Sequence, residues 1–312
     1  MSDLLKNIDA RTKLAGTNKL EILMFSLGRD TRNNREETFG INVFKVREVM
    51  RIPDITRAPD MPSSVEGMVS LRGVLVPVID LAKYIGIETD CLPGIMIVTE
   101  YNGQTQGFLV KAVDNILRLD WSAMRVPPAM LMAEMGGLVT AITELKDGRL
   151  VMMMDVEKVL SETSRYDDEA VFQGVQPLGK ERVIFFVDDS SVARKQISRT
   201  LDVMQVKYIS SINGRQAWDE LSKMADNADA SNIPLKNTLH VILTDVEMPE
   251  MDGYMLTRKI KADKRFSGIP VLMHSSLSSA SNQQLGKAVG VDAYVAKFEP
   301  QKLAQKLAQL LA

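Results

Sequence analysis

Residues 240–254, HVILTDVEMPEMDGY, decide how this chain folds. Positions 241–243 (VIL) read as a buried apolar strand that stops abruptly on Thr244 and Asp245. A turn through Met248-Pro249 follows, and Asp252-Gly253 opens a helix with Asp252 as its N-cap. A carboxylate at the C-terminal end of a parallel strand sits where open α/β sheets keep their ligands. Upstream, 183–187 (VIFFV) is a second apolar strand, and it stops on Asp188 and Asp189. Three acids gathered at one sheet edge repel one another and drift toward protonation unless a cation stands among them. An oxygen-only set with room for water suits magnesium, which takes a few carboxylates and a phosphate rather than a full protein cage. Such a setting prepares Asp245 to attack a phosphoryl group as a nucleophile. Helix capping accounts for Asp252, but it gives no reason for the other three acids to converge.

Outward from this stretch, strand and helix periods alternate five times from Arg182 onward, which predicts a doubly wound five-stranded parallel sheet over 181–308. Ala193, Ile197, Leu201 and Met204 fall on one helical face, and 206–210 is the next strand. Asn213 and Gln216 form a possible capping box before a helix with Ala217, Trp218, Leu221 and Met224 inward. A polar insert at 226–237 leads into the central strand, and Met255, Leu256 and Ile260 face the sheet from the helix after it. Strand 270–274, a looser helix at 282–289, strand 293–295 and a closing helix with Leu303, Leu307 and Leu310 complete the pattern. In this order the strand ends bring together Asp188, Asp189, Asp245, Ser275 and Lys297. Taken singly, Ser275 and Tyr294 read as an ordinary loop serine and strand tyrosine, and Lys297 as a solvated lysine.

As a set, these residues resemble the receiver domain of two-component response regulators, the CheY-like fold. The resemblance implies Asp245 as phosphoacceptor, Asp188 and Asp189 as magnesium ligands (direct or through water), and the backbone carbonyl of Glu247 as a further ligand of that metal. It also implies that Lys297 sets a point charge against the acylphosphate and that Ser275 offers its hydroxyl to a phosphoryl oxygen. Drawing Ser275 inward would free space for Tyr294, a two-state packing switch. Two features depart from the family pattern. Phe298 follows Lys297 where receivers carry a proline, so this loop is expected to be trans. Leu277, two residues after Ser275, cannot hydrogen-bond an attacking water, and Glu247 near Asp245 is acidic, so the phosphorylated form is expected to lose phosphate slowly.

The first half is built differently. Strand patterns at 21–27 and 39–41 flank a polar hairpin loop at 29–37, and Val43, Val46, Val49 and Met50 recur at helical spacing. Residues 67–81, GMVSLRGVLVPVIDL, are two aliphatic runs around an Arg72-Gly73 turn, so Arg72 projects from a hairpin tip. Further strands at 94–100, 106–110, 115–119 and 150–154 are separated by close turns such as 101–103 and 146–148, which argues for an all-β, barrel-like domain. A short helix from Asp155, its N-cap, closes the domain. By itself Arg72 reads as a solvated turn arginine.

The hairpin, together with FGINVFKVREVM at 39–50, resembles the CheW family of chemotaxis coupling proteins over 17–164. That family implies a double β-barrel bridging methyl-accepting chemotaxis receptors to the histidine kinase CheA. By the resemblance, Val43, Val46 and Glu48 lie on the receptor- and kinase-facing surface, and Arg72 and Gly73 at the receptor contact. Residues 165–180 are polar and aperiodic and read as a linker, and 1–16 as a tail or short amphipathic helix. A CheW-like module, a linker and a receiver in this order resemble the CheV coupling proteins. The expected role is a non-enzymatic cytoplasmic scaffold at membrane receptor arrays, tuned by phosphorylation of Asp245; the alternative is a phosphate sink for CheA that the CheW-like part merely localises.

Whole-chain properties narrow the rivals. A net charge of −2, with no basic run, gives no general pull toward nucleic acid or anionic membrane. The β-rich first half offers no helix-turn-helix for a DNA-binding output. It contains no histidine, so a serine esterase lacks its base there. Cys91, the one cysteine, has no internal disulfide partner and is expected to be buried filler. His240 and His274 are too few for a zinc site and read as strand residues. The longest apolar run is too short to span a bilayer, so no membrane insertion is expected.

Overall fold

The computed structural model describes residues 19–57, 59, 61–101, 104–163, 172, 174–179, 181–276 and 280–311. The expectations for 1–16, for the Asn102-Gly103 turn, for Leu277 and for most of 165–180 lie outside the described residues. Beyond residue 18 the chain forms two compact units, Lys19–Arg165 and Tyr166–Ala312.

The first unit runs β1 (Lys19–Ser26), β2 (Thr38–Asn42), β3 (Val46–Arg51), β4 (Val65–Leu71), β5 (Val74–Asp80), α1 (Leu81–Ile85), β6 (Ile95–Tyr101) and β7 (Gln104–Val110). It continues with β8 (Ala112–Asp120), α2 (Ala129–Glu134), β9 (Val139–Glu144), β10 (Leu150–Met154) and α3 (Val156–Thr163). Two five-stranded sheets result, in the orders β8-β1-β2-β10-β9 and β3-β6-β7-β5-β4. Alternate side chains of β1 go to opposite faces: Leu20, Ile22 and Met24 join one buried cluster, Leu23 and Phe25 another. The second cluster is shared, because Ile79, Ile97 and Phe108 of the other sheet meet Phe25, Phe39 and Ile41 there. The second sheet keeps a cluster of its own in Val76, Val78, Met96 and Val98. Each sheet is thus covered on both faces, with an interior of its own and one core in common. Helix α3 begins as expected, with Asp155 Oδ1 accepting the N–H groups of Glu157 (3.0 Å) and Lys158 (3.1 Å).

Two expectations for this half are corrected. The spacing of Val43, Val46, Val49 and Met50 is not helical. Val43–Lys45 is a single 3-10 turn, and from Val46 the chain is strand β3, antiparallel to β6 with a register shift between Val46 and Glu48. The turn and the bulge together shift the strand's two-residue period and imitate a helical repeat. Cys91 is half-buried rather than buried filler, in the loop after α1.

The second unit runs β11 (Val183–Val187), α4 (Ser191–Val203), β12 (Lys207–Ser211), α5 (Gly214–Ala230), β13 (Val241–Thr244), α6 (Gly253–Ala262), β14 (Val271–Ser275), α7 (Ala280–Ala288), β15 (Ala293–Ala296) and α8 (Pro300–Leu311). All pairings are parallel, in the order β12-β11-β13-β14-β15. Ile184 and Phe186 bury against Ile197 and Leu201 of α4 and Leu303 and Leu307 of α8. Phe185 and Val187 bury on the other face against Ala217 and Leu221 of α5 and Leu256 and Ile260 of α6. The chain leaves β11 in one direction and returns beyond it as β13, so the crevice between these strands' C-terminal ends is the topological switch point.

Three details differ from the sequence reading. Helix α5 runs on to Ala230, so the first part of the insert at 226–237 is helical; ADNADA contains no residue that stops a helix. Met255 is exposed, because Leu256, Thr257 and Ile260 already fill the inward stripe of α6. Part of the linker is packed onto the second unit. Val175 joins the cluster of α4 and α8, Leu178 N–H donates to Met204 O at 2.8 Å, and the Arg199 guanidinium lies 4.6 Å from the centroid of the Phe172 ring.

Candidate functional site

The acidic pocket is assembled by backbone geometry at the strand ends. Asp245 N–H still donates to Val187 O (2.9 Å), continuing the β11–β13 ladder, and its carboxylate Oδ1 accepts Val246 N–H at 2.6 Å. The following loop is anchored by Met248 and Met251, both in the core, and returns so closely that Gly253 N–H bonds Val246 O at 2.9 Å. A Cβ on Gly253 would stand 1.9 Å from Asp245 O, so glycine is required there. Asp252 caps α6 as expected, its Oδ1 accepting Met255 N–H at 2.6 Å, and burial raises its pKa.

Asp188 and Asp189 follow β11 directly. Asp188 Oδ1 accepts Ser190 N–H at 2.9 Å, and Ser190 Oγ in turn caps α4 by accepting Ala193 N–H at 3.3 Å. Asp188 and Asp245 are buried and Asp189 half-buried, and one carboxylate oxygen from each lies within 4.8 Å of the others. Lys297, itself buried, places Nζ 2.8 Å from Asp188 Oδ2 and 3.0 Å from Asp245 Oδ2. Its backbone N–H donates to Ser275 O at 3.1 Å, which ties the lysine to the end of β14. The chain carries no cis peptide bond among the described residues, and Phe298 adopts the left-handed region at φ +63°. Lys297 therefore reaches the acids without a proline after it.

Ser275 is buried and is hydrogen-bonded through its side chain to Tyr294. Burial, and then the neighbouring Tyr254, raise the pKa of the Tyr294 phenol. Tyr254 was not foreseen. It occupies the first turn of α6, and burial followed by the charges of Glu247, Asp252 and Asp245 raises its pKa. Its signal in the sequence was an aromatic directly after Asp252-Gly253. Glu247 is half-buried, two residues past Asp245. The donor set suits magnesium: it is oxygen only, three carboxylates stand against one ammonium, and Asp189 is only half-buried, so the set is not a closed cage. Asp188, Asp189 and Asp245 are the residues that would hold the ion.

In the first unit the β4–β5 hairpin is closed by a two-residue turn, Leu71 facing Val74 across it. Arg72 (φ +51°) and Gly73 (φ +84°) are both left-handed, as a type I′ turn demands. The Arg72 guanidinium extends back to Glu48 on β3, Nη2 to Oε2 at 3.1 Å. Beside the tip, Val74 and Leu75 are 48% and 68% exposed, two large apolar side chains the sequence reading did not single out. Val43 and Val46 do not belong to this surface. They are 4% and 3% exposed and sit in the shared core, since the 3-10 turn and the bulge direct both inward.

No helix among the described residues is long and apolar enough to cross a membrane. Residues 21–164 match the CheW-like domain family and residues 184–308 the response regulator receiver domain family. The chain is 31% identical to chemotaxis protein CheV3 of Helicobacter pylori over 88% of its own length and 89% of that protein's. It is 28% identical to chemotaxis protein CheV1 of the same organism over 100% of this chain and 99% of the other. Among solved structures, the scaffolding protein TtCheW of Thermoanaerobacter tengcongensis is 29% identical and aligns with 44% of this chain and 84% of its own, at a TM-score of 0.39. With two domains in that order and a relative so similar along most of both chains, the chain belongs to the CheV family of chemotaxis proteins.

Proposed function

We propose that the protein is a coupling scaffold between methyl-accepting chemotaxis receptors and the histidine kinase CheA, set by magnesium-dependent phosphorylation of Asp245. The observation that carries this reading is the convergence of Asp188, Asp189 and Asp245 within 4.8 Å, with the Lys297 ammonium against two of them. A carboxylate oxygen of Asp245 attacks the phosphorus of a phosphohistidine or a small acyl phosphate. An O–P bond forms as the donor's P–N or P–O bond breaks, and the leaving imidazole or carboxylate takes the bonding electrons, the imidazole adding a proton from solvent. Asp188, Asp189, Asp245 and the Glu247 carbonyl would hold magnesium, which would supply neutralisation of charge on the phosphoryl oxygens. Lys297 keeps a positive charge at the acceptor oxygen throughout, already in place and shielded from water. Ser275 gives up its bond with Tyr294 to reach a phosphoryl oxygen, which releases the tyrosine to repack.

Partner contact falls to the hairpin tip: Arg72, Gly73 and Glu48, with Val74 and Leu75 as apolar anchors. The setting is the cytoplasmic face of receptor arrays. The test is a small-molecule phosphodonor, acetyl phosphate, with and without magnesium. Wild type should gain one acid-stable, base-labile phosphoryl group and Asp245→Ala none; an unmodified wild type sinks the reading. In a reconstituted receptor–kinase assay, Asp245→Ala should remove the phosphodonor's effect on kinase output while leaving coupling itself in place. A sink without coupling control would show no such effect in the wild type.

A further inference from the structure

We propose that Arg194 positions the acidic loop, holding Asp188 and Asp189 in the arrangement that receives the divalent cation; this rests on the reading of the Asp188–Asp189–Asp245 cluster as a phosphoryl-transfer site. Arg194 stands in the first turns of α4, and one of its nitrogens, Nη1, donates to both Asp188 O and Asp189 O at 2.8 Å each. Successive carbonyls of a strand point to opposite sides. For two in a row to meet one nitrogen, the backbone must leave the extended path at this pair. The carbonyls are drawn toward α4, and the two carboxylates are left together with that of Asp245 across the switch point. Lys297 Nζ, 2.8 Å from Asp188 Oδ2, holds a carboxylate and not the backbone. Two further ties that involve this loop's backbone are longer or more local. Asp188 N–H reaches Ser211 O only at 3.4 Å, and Ser190 N–H bonds the Asp188 side chain itself.

Guanidinium suits the task because its donors lie in a fixed plane and stay charged at every working pH. The same charge opposes a nearby cation, which gives the inference a sign. If Arg194 acted only through its charge, removing it would tighten metal binding. If it acts by holding the carbonyls, removing it weakens metal binding, as loss of an outer partner does in metal sites generally.

The experiment is a magnesium titration of the folded full-length chain by calorimetry, comparing wild type, Arg194→Met and Arg194→Lys. In parallel, the magnesium dependence of phosphorylation by acetyl phosphate is measured. Arg194→Met should weaken magnesium binding roughly tenfold. It should raise the half-saturating magnesium for phosphorylation in step, with the rate largely recovered at saturating metal. Arg194→Lys, with the charge kept and the planar donor lost, should fall between. A purely structural role would lower the folded fraction and the binding stoichiometry without moving the affinity. Affinity unchanged or tighter in folded Arg194→Met overturns the proposal; should that variant not fold, unchanged affinity in Arg194→Lys does so. Wild type that binds no magnesium and takes no phosphoryl group sinks the underlying reading, whereas equal affinities in a competent wild type and its variants sink this inference alone.

Discussion

The Lys297 ammonium stands between two buried acids, 2.8 Å from Asp188 and 3.0 Å from Asp245. A lysine with so little water around it is costly unless paired, and so are the two carboxylates. The side chain assigned a role in phosphoryl transfer is therefore also the counter-charge that lets the pocket fold before any metal arrives.

Removing it should expose that dependence. Lys297→Met should destabilise the second unit by about 3 kcal/mol in the presence of a chelator, the scale of breaking a buried pair from one side. Added magnesium should restore more stability to the variant than to the wild type, because it replaces the lost charge. Chelator melts that coincide for the two proteins would contradict this account.

A second consequence follows from how tightly α6 returns onto the phosphoacceptor strand. In Gly253→Ala the new methyl meets the Asp245 carbonyl oxygen at 1.9 Å, a backbone atom that no rotamer change can move. The expected cost is about 3 kcal/mol, at the upper end for overpacking, together with slower phosphorylation by acetyl phosphate as the Asp245 loop shifts. Urea unfolding and a phosphorylation time course measure the two effects; a variant with wild-type stability would show that the approach is looser than described.

Much of this site was readable from the chain alone, for a physical reason. Asp188, Asp189, Asp245 and Lys297 each follow a short apolar run, and the order of strands in a parallel sheet places all such ends along one edge. Asp155, Asn213 and Asp252 capped their helices as read, since a cap is a local bond between near neighbours. What escaped depended on distant contacts or on a hidden phase shift. Val43 and Val46 read as helical because a 3-10 turn and a bulge displace the strand period, and only the pairing with β6 reveals it; their surface placement rested on the family resemblance, and their burial in the shared core overturns it. Arg194 carries no motif: its importance lies in where two carbonyls point, which residue spacing does not encode.

At the hairpin tip, stability and partner binding should separate. Arg72 holds a left-handed conformation that suits glycine better, and its pair with Glu48 is largely exposed on the arginine side. Exposed pairs of this kind contribute about 0–1 kcal/mol. Arg72→Gly should therefore leave the melting temperature of the first unit unchanged or slightly raised. Binding to receptor cytoplasmic fragments and to CheA in a pull-down should drop several-fold. Unaltered capture by both partners would remove the hairpin from the interface.

The docked portion of the linker makes a further prediction about where the second unit begins. Val175 lies in the core cluster with Ile197 and Leu201, and Phe172 lies beneath the Arg199 guanidinium. Burying a valine and stacking a cation on an aromatic ring contribute about 2 kcal/mol together. In the full-length chain, Val175→Ala with Phe172→Ala should lower the second unit's unfolding midpoint without altering magnesium affinity. A midpoint equal to that of the wild type would return the segment to the status of a free tether.

Acid should weaken the second unit in a window set by His240. Its Nδ1 accepts Val183 N–H at 3.0 Å at the start of β11, and burial, followed by the charge of Arg182, lowers its pKa from 6.5. The unfolded chain thus binds a proton near that pH while the folded chain resists it. Stability from this residue is fully present above pH 6.5 and is lost as pH falls below it, because protonation favours the unfolded state and abolishes the acceptor. Urea midpoints measured between about pH 7.5 and 5.5, above the range of ordinary carboxylates, should fall in the wild type. They should change much less in His240→Asn, which keeps an uncharged acceptor on a shorter stem. Parallel pH profiles in the two proteins would assign the acid sensitivity to other groups.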